Sequence, residues 1–393
     1  GLRLRPRPSP ASTSRLMTQP STVQATGAGR LRPRGAAAGP DTPEESSFMP
    51  AENAPSSPRV TAVVLAYREQ PFLEDCLKRI LSSRGVRVDI VLVDNGCTFP
   101  DLAPLADHPS VTLVEPGVNT GFTGGCNLAA RHAGGEVLVF VNSDALVEAD
   151  ALAQLAAVAC REEVGMACAS LRLEQDPQLL NSAGNPVHVL GLSWAGSFGE
   201  PAAGHVEERD VASASGAALA IRREVWEALG GFTDEFFAYC EDTDLSLRAW
   251  QRGWRVRFVP SAVVLHHYEA NRNKSKFYLL ERNRLAMLAT VYEKRTLRLL
   301  LPPLLALEVA MVAVATAGGW LPAKLRGYTW LWRNRRWLRH RREEVQAVRT
   351  VPDRELAPLL TARFDASVIE LPASAQFLNR LMERYWNWVR RRM

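Results

Sequence analysis

The chain has 393 residues, of which 47% are hydrophobic and 23% charged, and its formal charge is +5. That balance is typical of globular protein, and the length suits two ordinary domains or one domain with appendages. The cysteines Cys76, Cys97, Cys126, Cys160, Cys168 and Cys240 include no Cys-x-x-Cys pair and no Cys/His cluster of zinc-finger spacing, which argues against a metal finger or a disulfide framework and for reduced thiols in a cytosolic protein.

Charge is unevenly placed. Arginines crowd residues 1–34 and 324–342, while the middle is nearer balance and holds the acidic clusters. Segregation of this kind points to an anionic surface, either membrane or nucleic acid. Residues 1–58 are rich in Arg, Pro, Ala, Ser and Gly and poor in large apolar side chains. Such a segment cannot bury enough surface to offset chain entropy, so it is predicted to be disordered. It lacks the apolar run of a secretory signal. Its Arg-rich, acid-poor start either mimics a transit peptide or precedes a true start at Met17 or Met49.

Order is expected from Arg59. "VTAVVLAY" (60–67) reads as a strand, and "PFLEDCLKRILSS" (71–83) sets Phe72, Leu73, Cys76, Leu77, Ile80 and Leu81 at helical spacing. "VDIVLVDNG" (88–96) is a second strand, 99–106 a short helix, and "VTLVEPG" (111–117) a third strand. "NTGFTGGCNLAARHAGG" (119–135) is a Gly-rich turn opening a helix. "EVLVFVNSDALVEADAL" (136–152) starts with an apolar run that has no helical stripe, a buried strand. This alternation predicts a parallel sheet with right-handed crossovers. A helix over 149–163 and a strand over 164–173 follow. Residues 174–212 read as an irregular substrate loop. Then come a strand and short helix over 213–232, an acid-led helix over 240–254, and a strand over 255–267 ending on two histidines.

Beyond residue 275 the chain is helical and increasingly membrane-like. "LLLPPLLALEVAMVAVATAGGWL" (299–321) is long enough to span a bilayer but contains Pro302, Pro303, Glu308, Gly318 and Gly319. Trp330, Trp332 and Trp337 then alternate with arginines, which suits a headgroup interface. An in-plane helix is the leading reading, ahead of a span and a buried core helix. "AQFLNRLMERYWNWVRRR" (375–392) is a further amphipathic, aromatic-basic helix.

Four strand ends present polar residues: Ala66-Tyr67, Asp94-Asn95, Asn142-Ser143-Asp144 and His266-His267. A parallel sheet brings such ends to one edge, where ligands bind. Each has a bland alternative: Asp94 as turn former, Asp144 as cap of the next helix, His266 as a satisfied buried imidazole. Glu241-Asp242-Thr243-Asp244 starts a helix, where acids suit capping and the macrodipole. Adjacent acids point to different sides, so one can cap while the other faces a cleft as general base.

"VTAVVLAYREQPFLEDCL", "IVLVDNG", "NTGFTGGCNLA", "VFVNSDA" and "GGFTDEFFAYCEDTDLSLRAWQRGWRVRFVPSAVVLHH" occur in this order. Together they closely resemble glycosyltransferase family 2, inverting enzymes of the GT-A fold, and most of all its bacterial rhamnosyl- and galactofuranosyltransferases of cell-surface glycan assembly. The resemblance covers about residues 59–290. It implies an α/β fold, a Rossmann-like, mostly parallel sheet flanked by helices. Domains are then expected at 1–58, 59–290 and 291–393, the last a helical membrane-associating region. Ala66, Tyr67, Asp94 and Asn119 would line the nucleotide, and Gly216 in "SASGAAL" would lie by the donor sugar or acceptor. Asn142-Ser143-Asp144 occupies the place of the family's Asp-x-Asp motif, with Asp144 and His266 as ligands for Mg2+ or Mn2+; His267 is then structural. Glu241-Asp242 matches the family's catalytic base, with Asp242 favoured.

One departure is Asn142, where many relatives have Asp. A neutral amide removes one negative charge, so metal affinity in the absence of donor is expected to be weak. The implied partners are a nucleotide-sugar donor such as dTDP-rhamnose, a glycan or polyprenyl-linked acceptor, and the cytoplasmic face of a membrane. The competing readings are a catalytically weakened scaffold and a nucleic-acid-binding protein using its basic arms.

Overall fold

The computed structural model describes residues 58–268, 276–365 and 375–393, so the expectation for residues 1–57 lies outside it. Strands and helices first alternate: β1 (Arg59–Glu69), α1 (Leu73–Leu81), β2 (Arg87–Phe99), α2 (Ala103–Ala106), β3 (Val111–Val114), α3 (Gly121–His132) and β4 (Val137–Val141). Next come β5 (Ala145–Val147), α4 (Ala151–Ala159), β6 (Val164–Leu173), β7 (Asp176–Ser182), β8 (Val187–His188), β9 (Arg209–Asp210), β10 (Ala218–Arg222), α5 (Arg223–Leu229), α6 (Glu241–Gln251) and β11 (Arg255–His266). The remainder is α7 (Lys276–Val291), α8 (Lys294–Ala317), α9 (Leu321–Arg333), α10 (Arg335–Ala347), α11 (Asp353–Leu356), β12 (Leu360–Thr361) and α12 (Ala375–Arg390).

The main sheet runs β3-β2-β1-β4-β10-β6-β11-β5, with β7 beside β6 and β9 beside β11. β3, β2, β1 and β4 are mutually parallel. The expected parallel order therefore describes this half, while the other half is mixed. Only Glu174 and Gln175 separate β6 from β7, and so short a link permits only an antiparallel pair. β10 is antiparallel to both β4 and β6, and β6 is parallel to β11. The two reversals cancel, so β11 runs with β1, β2 and β4 and ends at the same edge.

All of β4 is buried, as a strand covered on both faces must be. Leu73 and Ile80 of α1 and Leu152 and Leu155 of α4 cover one face. Cys126 and Ala129 of α3, Leu245 and Ala249 of α6, and Trp226 and Phe232 cover the other. A third apolar cluster joins the late helices to the sheet layer, with Met287, Val291, Leu300, Trp386 and Val389 packed with Phe236 and Leu247. The described residues all belong to one compact unit.

Three local expectations change. Asp144 does not cap a helix: α4 begins at Ala151, and β5 intervenes because Ala145–Val147 pairs antiparallel with Val264–His266. The stretch 174–212 is not a plain loop, since β7 pairs with β6 and buries Leu180, Asn181 and Ser182. The helix expected from 299 begins at Lys294 and ends at Ala317. Its Glu308 turns toward α7 and α9, pairing with Arg284 and Lys324 and accepting the Tyr328 hydroxyl at 2.6 Å. Leu301, Leu305, Val309 and Val314 are exposed. By length and composition α8 can cross a membrane, and only 11% of its apolar window is buried, so it is not packed as a core helix.

Candidate active site

The β5–β11 pairing sets His266 opposite Ala145, beside Asp144. His266 Nε2 lies 3.3 Å from Asp144 Oδ1. A tight turn holds the acid: the Ala145 N–H donates to the Asn142 carbonyl at 3.0 Å, and the His267 N–H donates to that of Asp144 at 2.9 Å. On its other side His266 Nδ1 meets Oδ1 of buried Asn181 at 2.9 Å. With a proton on Nδ1 for that amide oxygen, His266 can offer Nε2 to a cation held beside Asp144. His267 stacks on Phe72 and lies 3.4 Å from Glu174. Among the described residues no group of three or more His, Cys, Asp or Glu converges on a metal position. Asp144 and His266 are a hard carboxylate and a lone-pair imidazole on one point, a donor set that fits a divalent ion completed by an anionic ligand's oxygens and water.

The Gly-rich turn is shaped by the protein itself. Asn119 Oδ1 accepts the Gly121 N–H at 2.8 Å. Asn95, nearly wholly buried, accepts from the Thr120 N–H and hydroxyl and donates to the Gly121 carbonyl. Gly121 has φ +75°, and a Cβ there would stand 2.4 Å from the Phe237 carbonyl oxygen. That carbonyl accepts the Thr123 N–H at 3.1 Å. The first turn of α3 therefore docks the 237–240 loop that leads into α6.

In that loop Phe237, Tyr239 and Cys240 all have left-handed φ, between 66° and 70°. Cys240 offers no side-chain cap, so neither acid that follows relies on one. Asp242 Oδ2 accepts the Gly216 N–H at 3.1 Å, and Oδ1 accepts the Thr243 N–H at 2.7 Å. A Cβ on Gly216 would stand 3.7 Å from Asp242 and 3.9 Å from Glu241 Oε1, ordinary contact distances, so both carboxylates lie beside the backbone just ahead of β10. Glu241 is 9% exposed and its buried Oε2 has no hydrogen-bond partner. Burial, then the Asp242 charge, pushes its carboxyl up to about 8. Burial also raises Asp242, but the Gly216 and Thr243 donors oppose the shift.

A cavity of about 430 Å³ is lined by Tyr67, Asn95, Asn119, Asn142, Asp144 and Tyr239. It adjoins one of about 1040 Å³ that shares Tyr67, Asn142, Asp144 and Tyr239 and adds His266 and His267. The Glu241 charge is felt at Cys126 and Tyr239, both in the wall of the first cavity. Not every expected residue is there: Ala66, Asp94, Gly216, Glu241 and Asp242 line neither cavity. Ala66 is wholly buried in the core, in register with Asp94. Asp94 Oδ1 takes the N–H groups of Gly96 and Cys97, the turn-forming role, and it is its neighbour Asn95 that lines the cavity. The sequence reading placed Asn95 at a polar strand end without giving it a role, and it passed over Tyr239 and Asn181, and also Arg68 and Lys276, which bring positive charge to both cavities. Nothing local marks Asn181, because β7 read as loop.

A mixed α/β sheet with acids, amides and a carboxylate–imidazole pair gathered at one strand edge is the layout of the GT-A fold. The chain belongs to the glycosyltransferase-like family 2, whose model matches residues 58–287. It is 30% identical over 229 residues to an N-acetylglucosaminyl-diphospho-decaprenol L-rhamnosyltransferase of Mycobacterium tuberculosis, a match covering 52% of this chain and 75% of that protein. It is 29% identical over 243 residues to the O-antigen biosynthesis protein RfbC of Myxococcus xanthus, covering 55% of this chain but only 18% of that much longer protein. Among solved structures it is similar in fold to GalNAc-T7 with UDP, GalNAc and Mn2+, with a TM-score of 0.50 and 16% identity over 60% of this chain and 48% of that one.

Proposed function

We propose that this enzyme moves a deoxyhexose, rhamnose in the first instance, from a nucleoside-diphosphate donor such as dTDP-rhamnose to a hydroxyl of a polyprenyl-diphosphate-linked glycan, with inversion. The observation that carries the reading is the convergence at one sheet edge. Tyr67, Asn119, Asn142, Asp144 and His266 face one continuous space, and Gly216 ties the same edge to Asp242. The mycobacterial relative's name supplies the sugar and the decaprenyl acceptor.

In this reading Tyr67 and Asn119 receive the nucleotide, with Asp94 and the Ala66 backbone shaping the floor beneath it. Asp144 and His266 would hold Mg2+ or Mn2+, which supplies positive charge to the departing diphosphate when bound. Arg68 and Lys276 add to that charge. Asp242, held by two N–H donors and so the more readily ionised of the two acids, takes the proton of the acceptor hydroxyl. The hydroxyl oxygen then forms its bond to the anomeric carbon as the bond to the diphosphate oxygen breaks, and the nucleoside diphosphate leaves with that electron pair. Glu241, uncharged near pH 7, keeps a second negative charge away from the base. Residues 59–290 supply the groups that meet substrate, and 291–393 also dock the enzyme on an anionic cytoplasmic leaflet through α8, α9 and α12.

The test is a panel of dTDP-rhamnose, UDP-galactose, UDP-N-acetylglucosamine and GDP-mannose on the full chain. Thermal shift reads donor binding, and nucleoside diphosphate release reads turnover with N-acetylglucosaminyl-diphospho-decaprenol as acceptor. Turnover of dTDP-rhamnose, and its loss by roughly 10²- to 10⁴-fold in Asp242→Asn with the thermal shift retained, is expected. Donor binding without release by the unaltered chain would make it a scaffold and end the proposal.

A further inference from the structure

Asp244 lies on α6 one turn after Glu241, and its side chain is wholly buried. Its charge is met in part from its own helix, by Arg248 Nε at 2.9 Å. The other partner comes from far along the chain. Arg341, on α10, places Nη2 at 2.6 and 2.7 Å from the two Asp244 oxygens and 2.9 Å from the Thr233 hydroxyl. Its Nη1 donates to the hydroxyl of Thr290 on α7. Thr233 itself donates to Asp244 Oδ2 at 3.0 Å. One guanidinium thus joins α6, α7 and the loop ahead of α6. Burial would raise the Asp244 carboxyl, but Arg341 and Arg248 outweigh it and hold the group below the usual carboxylate range.

The start of α6 needs such a hold. It follows three left-handed, non-glycine residues and has no side-chain cap, and strain of this kind persists only where the surroundings over-determine it. Asn283 secures the loop from α7 by donating to the carbonyls of Phe236, Ala238 and Tyr239. Arg341 secures the helix itself.

We infer that Arg341 is a positioning residue for glycosyl transfer: through Asp244 it fixes the first turn of α6, and with it the approach of Glu241 and Asp242 to Gly216. This rests on those two acids serving the transfer. The late helices are then part of the catalytic unit. Cutting the chain at the end of the family match would leave Asp244 with Arg248 and the Thr233 hydroxyl but without Arg341, so truncation cannot separate membrane docking from catalysis.

The groups facing Glu241 are Asp242 and Asp244 on its own helix, Cys126 on α3, and Tyr239 and Cys240 in the loop before it. Removing the Arg341 charge leaves Asp244 less compensated, and its negative charge, already felt at Glu241, then disfavours ionisation of that acid and moves the acid limb of the turnover profile to higher pH.

The test uses full-length Arg341→Gln, Arg341→Lys and the double variant Arg341→Gln/Asp244→Asn, with dTDP as the binding probe and dTDP-rhamnose turnover as the rate. Arg341→Gln should bind dTDP as the parent does, lose kcat on the order of 10²-fold, and shift its acid limb up by about one pH unit. Arg341→Lys should keep the parental limb and recover only part of kcat, because one ammonium cannot reach Asp244 and the Thr290 hydroxyl together as Nη2 and Nη1 do. The double variant should bring the limb back, and if Arg341→Gln fails to fold, it and Arg341→Lys decide. A parental kcat and profile in Arg341→Gln would overturn the inference, as would a rate loss matching its unfolded fraction with the limb unmoved. Parental turnover in Asp242→Asn is a separate failure, of the acid assignment itself.

Discussion

Gly121→Ala offers the sharpest test of how the Gly-rich turn and the acids are joined. An alanine at φ +75° costs about 1 kcal/mol in backbone conformation. Its Cβ would also stand 2.4 Å from the Phe237 carbonyl oxygen and 2.6 Å from the Phe237 ring. Backbone must give way, at about 1–3 kcal/mol. The displaced carbonyl loses the Thr123 N–H, a further ~1 kcal/mol. The sum is about 3–5 kcal/mol. Gly117→Ala is the control, because Gly117 has φ +73° but nothing within 4 Å of a Cβ, so it should cost only the backbone ~1 kcal/mol. Thermal unfolding should therefore place Gly121→Ala roughly 5–10 °C below Gly117→Ala. Its kcat should fall beyond any loss of folded protein, since the displaced loop leads directly into Glu241 and Asp242. Melting temperatures within about 2 °C of each other, with equal kcat, would refute the reasoning.

Three further outcomes follow from the geometry. Glu241 is raised from an ordinary 4.5 to about 8, so the native state keeps a proton that the unfolded chain releases. The stability this contributes is full below pH 4.5 and is lost by up to ~1.4 kcal/mol per unit as pH rises to 8. In urea titrations from pH 5 to 8, Glu241→Gln should lack that decline, and parallel curves would contradict the burial argument. Asn181→Ala frees the His266 ring and should weaken Mn2+ binding in the presence of dTDP by about 10- to 100-fold, read by the free-Mn2+ EPR signal; unchanged affinity, or full activity in excess EDTA, counts against the Asp144–His266 site. Leu305→Glu with Val309→Glu charges the exposed face of α8 and should abolish flotation with anionic vesicles while dTDP-rhamnose turnover in detergent persists.

Much of the fold was legible because its signals are local. Runs such as Val60–Leu65 and Val137–Val141 have no helical stripe and must be covered on both faces, and the helix after Phe72 shows its buried side by spacing alone. The candidate site was legible wherever polar residues directly close a strand, as at Tyr67, Asn142–Asp144 and His266. Asp94 shows the limit. A strand-end acid can face a ligand or close a turn, and its hydrogen bonds to Gly96 and Cys97 favour the turn. Residues 176–182 read as loop because a strand held by its neighbour needs no apolar alternation of its own, and Asn181 was lost with it.

By itself the sequence determined the order of the main strands and helices, the glycosyltransferase family and the residue types at the strand ends, all properties of short windows. Tertiary structure decided which of those residues meet. Asp144 meets His266 because a three-residue strand pairs with β11, Asn181 reaches His266 from β7, and Arg341 reaches Asp244 across 97 positions. Such partners are chosen by register and by the need to neutralise a buried charge, and both depend on residues far apart along the chain.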